Sequence, residues 1–266
     1  MGKRGANGNS GGQKKKFKLA TGIIEPGQYG VLATCQRGKE LGCAKELRIL
    51  FGDNIEKYFD MSENKEDVED KEEASEELSV EDAIKKELSD ISTPKTDNKS
   101  KEIVKSIDLG CDCLVFIKTR RPIIPSVLVQ RLCRDSLDSK TKSTRFTLRL
   151  TPIDDSCTPT EEELQKMALS LIAPVFHGAE GEQKPYKFAV SVTKRNFNSL
   201  DQPTITRIVA KIVGNDRGHS VDLKNPDKLI LVSGYKSNIG MAIVDGKEYE
   251  ELCRFNLQQI FEKSQE

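Results

Sequence analysis

The sequence predicts an α/β (α+β) chain built as two successive layers of strands and helices. Three observations predict it: short apolar runs of strand character alternate with longer runs at helical spacing, capping signals mark helix starts, and one acidic stretch without periodicity interrupts the first layer. Residues 1–20 are Gly, Asn and Lys, with Lys14, Lys15, Lys16 and Lys18 close together and no acid, a tail too polar to bury a core. Tyr29 to Cys35 reads as a short strand. Leu41, Ala44, Leu47, Leu50 and Phe51 then recur at helical spacing as far as Tyr58 and Phe59. From Asp60 to Lys101 Glu and Asp dominate and Pro94 closes the run, which predicts an acidic insertion with at most a transient helix around Val80 to Leu88. Order resumes at Cys111 to Lys118, continuously apolar and suited to burial on both faces. Pro125 and Ser126 open a helix carrying Leu128, Val129, Leu132 and Cys133, and Arg145 to Leu150 alternates like a strand.

The second layer opens on a capping box, Thr160 with Glu163, ahead of Leu164, Met167, Ala168, Leu171 and Ile172. Phe188, Val190 and Val192 mark a half-buried strand whose end, Lys194-Arg195-Asn196, is basic. Pro203 starts and Gly214 stops a helix with Ile205, Ile208, Val209, Ile212 and Val213 on one face and Arg207 and Lys211 on the other. Val221 and Leu223 suggest a short strand. Leu229–Val232 and Met241–Val244 flank a loop predicted over Ser233 to Gly240, and a single last helix turns Tyr249, Leu252, Cys253, Leu257, Ile260 and Phe261 inward.

Charge narrows the function. Lys and Arg number 42 against 42 Asp and Glu, yet residues 60–90 hold 14 acids and 4 bases, so a local charge of −10 leaves +10 on the remainder. A body of that charge steers polyanions. No apolar run approaches the roughly 20 residues that span a bilayer, and a soluble intracellular protein with seven reduced cysteines is expected. Phosphate-loop and dinucleotide glycine motifs are absent from the sequence. Cys111 and Cys113, with one residue between them on the predicted strand, share a face, but the four Cys or His at short paired spacings that a structural zinc site wants are missing around them. The two histidines, His177 and His219, read as loop or surface residues. Ser79 with Asp82 is a weak kinase pattern. What stands above background is basic charge with amides and an aromatic: Lys194-Arg195-Asn196, Arg207 with Lys211, and Tyr235-Lys236-Ser237-Asn238, the side-chain types that hold phosphates and unstacked bases.

Phe188-x-Val190 leading to Lys194-Arg195, then Val221-Asp222-Leu223-Lys224-Asn225-Pro226-Asp227, then Gly240, Tyr249 and Arg254-Phe255-Asn256-Leu257, resemble the THUMP domain of RNA-modifying enzymes. With Gly30 to Glu40, the acidic insertion and a strand-helix unit ahead of it, the chain resembles the eukaryotic THUMP-containing adaptors for tRNA cytidine acetylation. The resemblance implies a basic disordered tail at 1–20, a ferredoxin-like N-terminal domain at 21–59 and 104–152, an acidic disordered insertion at 60–103 and a THUMP domain at 153–266. It implies a non-catalytic protein without cofactor or small-molecule substrate that delivers serine and leucine tRNAs to a separate RNA cytidine acetyltransferase. ATP and acetyl-CoA would belong to that partner. The pair of domains would grip the acceptor stem and 3′ CCA end, with the single-stranded end near Lys194, Arg195 and Asn196, and phosphates met by Arg207, Lys211, Lys236 and Asn238. Arg37 and Lys39 read equally as stem contacts or solvated surface. Asp222, Asn225, Pro226 and Gly240 read as structural. Lys14 to Lys18 is a nuclear signal or an RNA-grazing tail, and a nuclear or nucleolar location, with the cytoplasm as alternative, is expected. Two rivals stay open: an enzyme that modifies RNA itself, and a scaffold whose working part is the acidic segment.

Overall fold

A computed structural model describes residues 20–60, 103–178, 184–214 and 217–265. The tail up to residue 19 and the acidic insertion from 61 to 102, with its helix around Val80 to Leu88, lie outside the described residues.

The first sheet contains β1 (Ala20–Thr21), β2 (Gly30–Cys35), β3 (Val104–Asp108), β4 (Leu114–Thr119) and β5 (Thr147–Ile153), in the order β1-β3-β4-β2-β5. Only β1 against β3 is parallel. Helix α1 (Glu40–Tyr58) joins β2 to β3 across the insertion, and α2 (Pro125–Ser139) joins β4 to β5. Strand, helix, strand, strand, helix, strand with β5-β2-β4-β3 adjacent is the ferredoxin-like order, with β1 added at the edge. Two-fold alternation sorts the side chains: Val31, Ala33, Val115, Ile117 and Leu150 join Leu47, Phe51, Leu128 and Leu132 of the helices in one core. Leu32, Leu114, Phe116 and Ile153 face the other way.

The second sheet contains β6 (Asp155–Cys157), β7 (Lys187–Arg195), β8 (Ser220–Val221), β9 (Lys228–Tyr235) and β10 (Asn238–Asp245), in the order β6-β10-β9-β7-β8. Helices α3 (Glu161–Phe176) and α4 (Gln202–Val213) cover one face, and Phe176, Phe188, Ile205, Val209, Ile230 and Met241 fill the core between. Thr160 accepts the Glu163 amide at 3.3 Å and Asp201 the Thr204 amide at 3.3 Å, so both helices start at side-chain caps. Helix α2 has no cap of its own; the Asp154 carboxylate, at the junction of the two sheets, takes the Ser126 amide at 2.8 Å instead.

Four expectations are corrected. The loop foreseen over Ser233 to Gly240 is mostly strand: β9 and β10 pair as far as Tyr235 with Asn238, leaving a two-residue turn in which Lys236 takes a φ of 48°. Hydrogen bonds between partner strands sustain what local composition did not mark. Strand β3, just past the insertion, has no counterpart among the strands foreseen, because its pairing with β4 is invisible in five residues of mixed polarity. Cys111 and Cys113 lie in the turn before β4, not on the strand, with Cys113 at a φ of 62° and its amide on the Glu40 carboxylate at 2.8 Å.

The last helix is broken. Helix α5 (Gly246–Glu251) gives way to a left-handed turn at Cys253, Arg254 and Phe255, with φ of 51°, 56° and 58°, before α6 (Leu257–Ser264). Such a conformation costs roughly 1–2 kcal/mol per non-glycine residue. Burial of Phe255 and Leu257 and the cap Asn256 gives to Gln259 offset it. The turn carries α6 back over α2 and β5, so Leu252, Phe255, Leu257 and Ile260 complete the core of the first sheet. The two halves therefore share one hydrophobic cluster.

Candidate nucleic-acid interface

Strand β7 places the basic triplet. Its odd positions after Lys187 face away from α3 and α4, so Ser191, Thr193 and Arg195 project into the space between the two sheets, opposite Leu32, Thr34, Arg149 and Thr151 of β2 and β5. These residues, with Ser233, Tyr235 and Tyr249, line a cleft of about 150 Å³. Small-molecule sites run to roughly 300–1,000 Å³, so the cleft has room for a group, not for a whole cofactor.

The structure brings part of the expected site together. Lys194, Arg195 and Asn196 are exposed at the end of β7. Lys194 reaches the Leu200 carbonyl at 3.1 Å and lies 5.7 Å from the Phe197 ring centre, while the Arg195 guanidinium makes no ion pair or hydrogen bond among the described residues. Asn196 Nδ2 stands 4.0 Å from Cys111 Sγ, in the β3–β4 turn of the first sheet. On the other side of that turn Arg37 pairs with Asp112 at 3.4 Å, both side chains solvated. Lys39 stands just before α1 with its ammonium 5.8 Å from the Phe146 ring centre, and the Arg145 guanidinium lies over the same ring at 5.2 Å. Cations of both halves thus flank one seam.

Other expected residues stand elsewhere. Arg207 and Lys211 are exposed on the outer side of α4, on the sheet face opposite the cleft, and form no ion pair among the described residues. Lys236 is half-buried and spends its ammonium on the Leu109 carbonyl at 2.7 Å, where the Tyr235 hydroxyl also donates at 2.9 Å. It fastens the hairpin to the first sheet. Asn238 is corrected: at 2% exposure it lies inside the protein, where no phosphate of a bound RNA reaches it.

The Asp222-Asn225-Pro226 element holds a turn. Asp222 accepts the Lys224 and Asn225 amides, each at 3.0 Å, and Lys187 at 3.3 Å; these bonds, the Asn225 amide first, hold its carboxyl below the usual range. Pro226 presses on Gly246, where a Cβ would sit 2.2 Å from the Pro226 carbonyl oxygen. Gly240 lets the sheets approach, since a Cβ there would meet Ile153 Cγ2 at 2.6 Å. His219 is in a loop as expected but buried, its Nε2 donating to the Phe176 carbonyl at 2.8 Å while Nδ1 accepts the Tyr186 amide at 3.1 Å. Both ring nitrogens serve the fold. Burial pushes the Cys43 thiol up to about 11 and Cys35 to about 12, which leaves almost no thiolate at neutral pH.

Sequence reading missed Arg149. Its alternation with Leu148 and Leu150 was visible, but which face met a second sheet was not.

A family model for the THUMP domain matches residues 159–244. The yeast Saccharomyces cerevisiae protein named tRNA acetyltransferase TAN1 is 42% identical over 98% of this chain and 94% of its own. An uncharacterised protein of Schizosaccharomyces pombe is 38% identical over 93% of this chain and 81% of its own. The mouse THUMP domain-containing protein 1 is 29% identical over 99% of this chain and 71% of its own.

Proposed function

This chain belongs to the THUMP-domain family of the tRNA acetyltransferase TAN1 relatives, and from that premise we propose that it is a non-catalytic tRNA-binding adaptor serving a separate RNA cytidine acetyltransferase. The relationship ties the chain to tRNA acetylation. The adaptor would deliver serine and leucine tRNAs for 4-acetylcytidine formation in the D-arm, with ATP and acetyl-CoA on the partner enzyme and the work done in the nucleus or nucleolus.

One observation carries the RNA-binding part. Lys194 and Arg195 of the second sheet and Arg37 of the first lie on either side of a single joint that Lys236, Tyr235 and Asn196 fasten. Cations on two elements held in fixed relation can read the spacing of phosphates along an RNA, where mobile ones would only add charge. Binding of this kind is phosphate-directed and falls with salt, by about 0.7 to 0.9 in log affinity per log salt for each neutralised phosphate.

The test is binding of the purified chain to total tRNA at two salt concentrations, with and without an intact CCA end, beside Lys194→Ala/Arg195→Ala. Tight, salt-dependent binding that weakens in the variant and on end removal is expected; no binding in either salt overturns the reading. The yeast relative's name makes an acetyltransferase the competing reading, and acetylation of tRNA by this chain alone, supplied with ATP and acetyl-CoA, would select it.

A further inference from the structure

The cleft between the sheets holds an unusual set of groups. Arg149 of β5 and Arg195 of β7 both line it, and among the described residues no carboxylate does. Neither guanidinium makes a hydrogen bond or ion pair among the described residues, and the Arg149 Nε, shielded from solvent, has no acceptor. A guanidinium offers five N–H donors and cannot shed its proton. Arg195 is exposed and water can solvate it, but the shielded Arg149 Nε is a donor whose lack of an acceptor is costly until something else satisfies it.

Hydroxyls share the lining with Leu32, Leu114, Leu231 and Val232. Thr151 from the first sheet, Ser191, Thr193 and Ser233 from the second, and Tyr249 form no side-chain hydrogen bond among the described residues. Each can turn its proton toward an acceptor. Two guanidiniums and five hydroxyls without partners among the described residues, and no acid, describe a receptor for a small, highly charged acceptor with several oxygens. The cleft, about 150 Å³, has room for one such group.

We propose that this cleft is a phosphate site in which Arg149 and Arg195, one from each sheet, clamp a single phosphate group while the surrounding hydroxyls donate to its remaining oxygens. Arg149 and Arg195 stand on strands of different sheets, so a bound phosphate would bridge the two halves and add to the joint. Arg149→Lys would keep the charge and lose the paired donors that suit a phosphate. The site stands on its own geometry; that the phosphate belongs to a bound RNA rests on the adaptor reading. The shared chemistry admits a second source, a free phosphorylated small molecule.

The experiment follows the arginine Nε–H signals of the full chain by nuclear magnetic resonance while inorganic phosphate is added, for the unaltered protein and for Arg149→Met, Arg149→Lys and Arg195→Met. Saturable shifts of the Arg149 and Arg195 signals are expected, with phosphate affinity falling on the order of tenfold to a hundredfold in each Met variant. Arg195 is exposed, so its variant keeps the test open if Arg149→Met fails to fold. Tenfold or greater displacement of the phosphate by intact tRNA would assign the source to RNA. Phosphate binding that depends on Arg149 but survives saturating tRNA supports the site and gives it to a small phosphorylated ligand. Unchanged Arg149 and Arg195 signals in a protein that still binds tRNA overturn the phosphate site and leave the adaptor reading standing; phosphate binding without tRNA binding does the reverse.

Discussion

Two stretches of the seam between the halves are built on opposite rules. Where α2 meets α5, Arg134 donates to Glu251 at 2.7 Å and to Glu248 at 2.9 Å, Gln130 also reaches Glu248, and Leu252, Phe255 and Ile260 fill the space behind. The one guanidinium there is met by two carboxylates. Where β5 faces β7, Arg149 and Arg195 line open space with free hydroxyls and no acid among the described residues. The first arrangement satisfies itself and fixes the geometry; the second leaves donors unsatisfied and so has capacity for something outside the chain. Stability and binding are thus kept in separate parts of one contact surface, and substitutions should separate them.

The largest effect is expected in the closed stretch. Phe255→Ala removes a ring that is 1% exposed and should cost about 3–5 kcal/mol, seen as a lower urea midpoint, with the rest of the chain still able to bind RNA below that midpoint. Gly240→Val drives a side chain into Ile153 and should cost about 1–3 kcal/mol by forcing the sheets apart. It sharpens the comparison, because it should weaken RNA binding without touching a cation. Arg134→Met should cost about 1 kcal/mol, since the ion pairs are partly exposed. Its pH dependence has a sign. The hydrogen bonds from Arg134 hold the Glu251 carboxyl below its ordinary value, so the contribution is full above the carboxyl's unfolded pKa and is lost as pH falls through the lower folded one. The gap between variant and parent in urea midpoint should therefore narrow below about pH 4.

In the open stretch the order reverses. Arg195→Ala should change stability by less than about 0.5 kcal/mol and lower the salt slope of RNA binding by about 0.7 to 0.9. A midpoint drop as large as that of Arg134→Met, with an unchanged slope, would break the distinction. Smallest is Arg207→Ala with Lys211→Ala, which relieves a like-charge pair one turn apart and should stabilise α4 by about 0.2–0.5 kcal/mol in a denaturation series.

Particular residues show how far the sequence could be read. The helix at 202–213 announced itself through Pro203, Gly214 and a clean apolar stripe, because helical spacing and its end signals are local. Strand β3 did not, and neither did the left-handed turn at Cys253 to Phe255: the first depends on a partner strand and the second on where Phe255 had to go. Among the candidate RNA contacts, Lys194 and Arg195 were legible as a basic strand end. Asn238 looked equally polar, yet pairing of β9 with β10 buried it, and Arg149 looked like one more charge on an alternating strand.

The sequence by itself determined most of the major helices and strands, the acidic interruption and the excess of positive charge on the remainder, since periodicity, capping and charge are properties of neighbours along the chain. Only the tertiary structure decided that the two layers share a core, that the last helix breaks to close it, that Lys236 is spent on holding the joint and that Arg149 and Arg195 line one cleft. Those facts depend on which faces of distant strands meet, and a two-residue repeat fixes that a side chain alternates without fixing what it will confront.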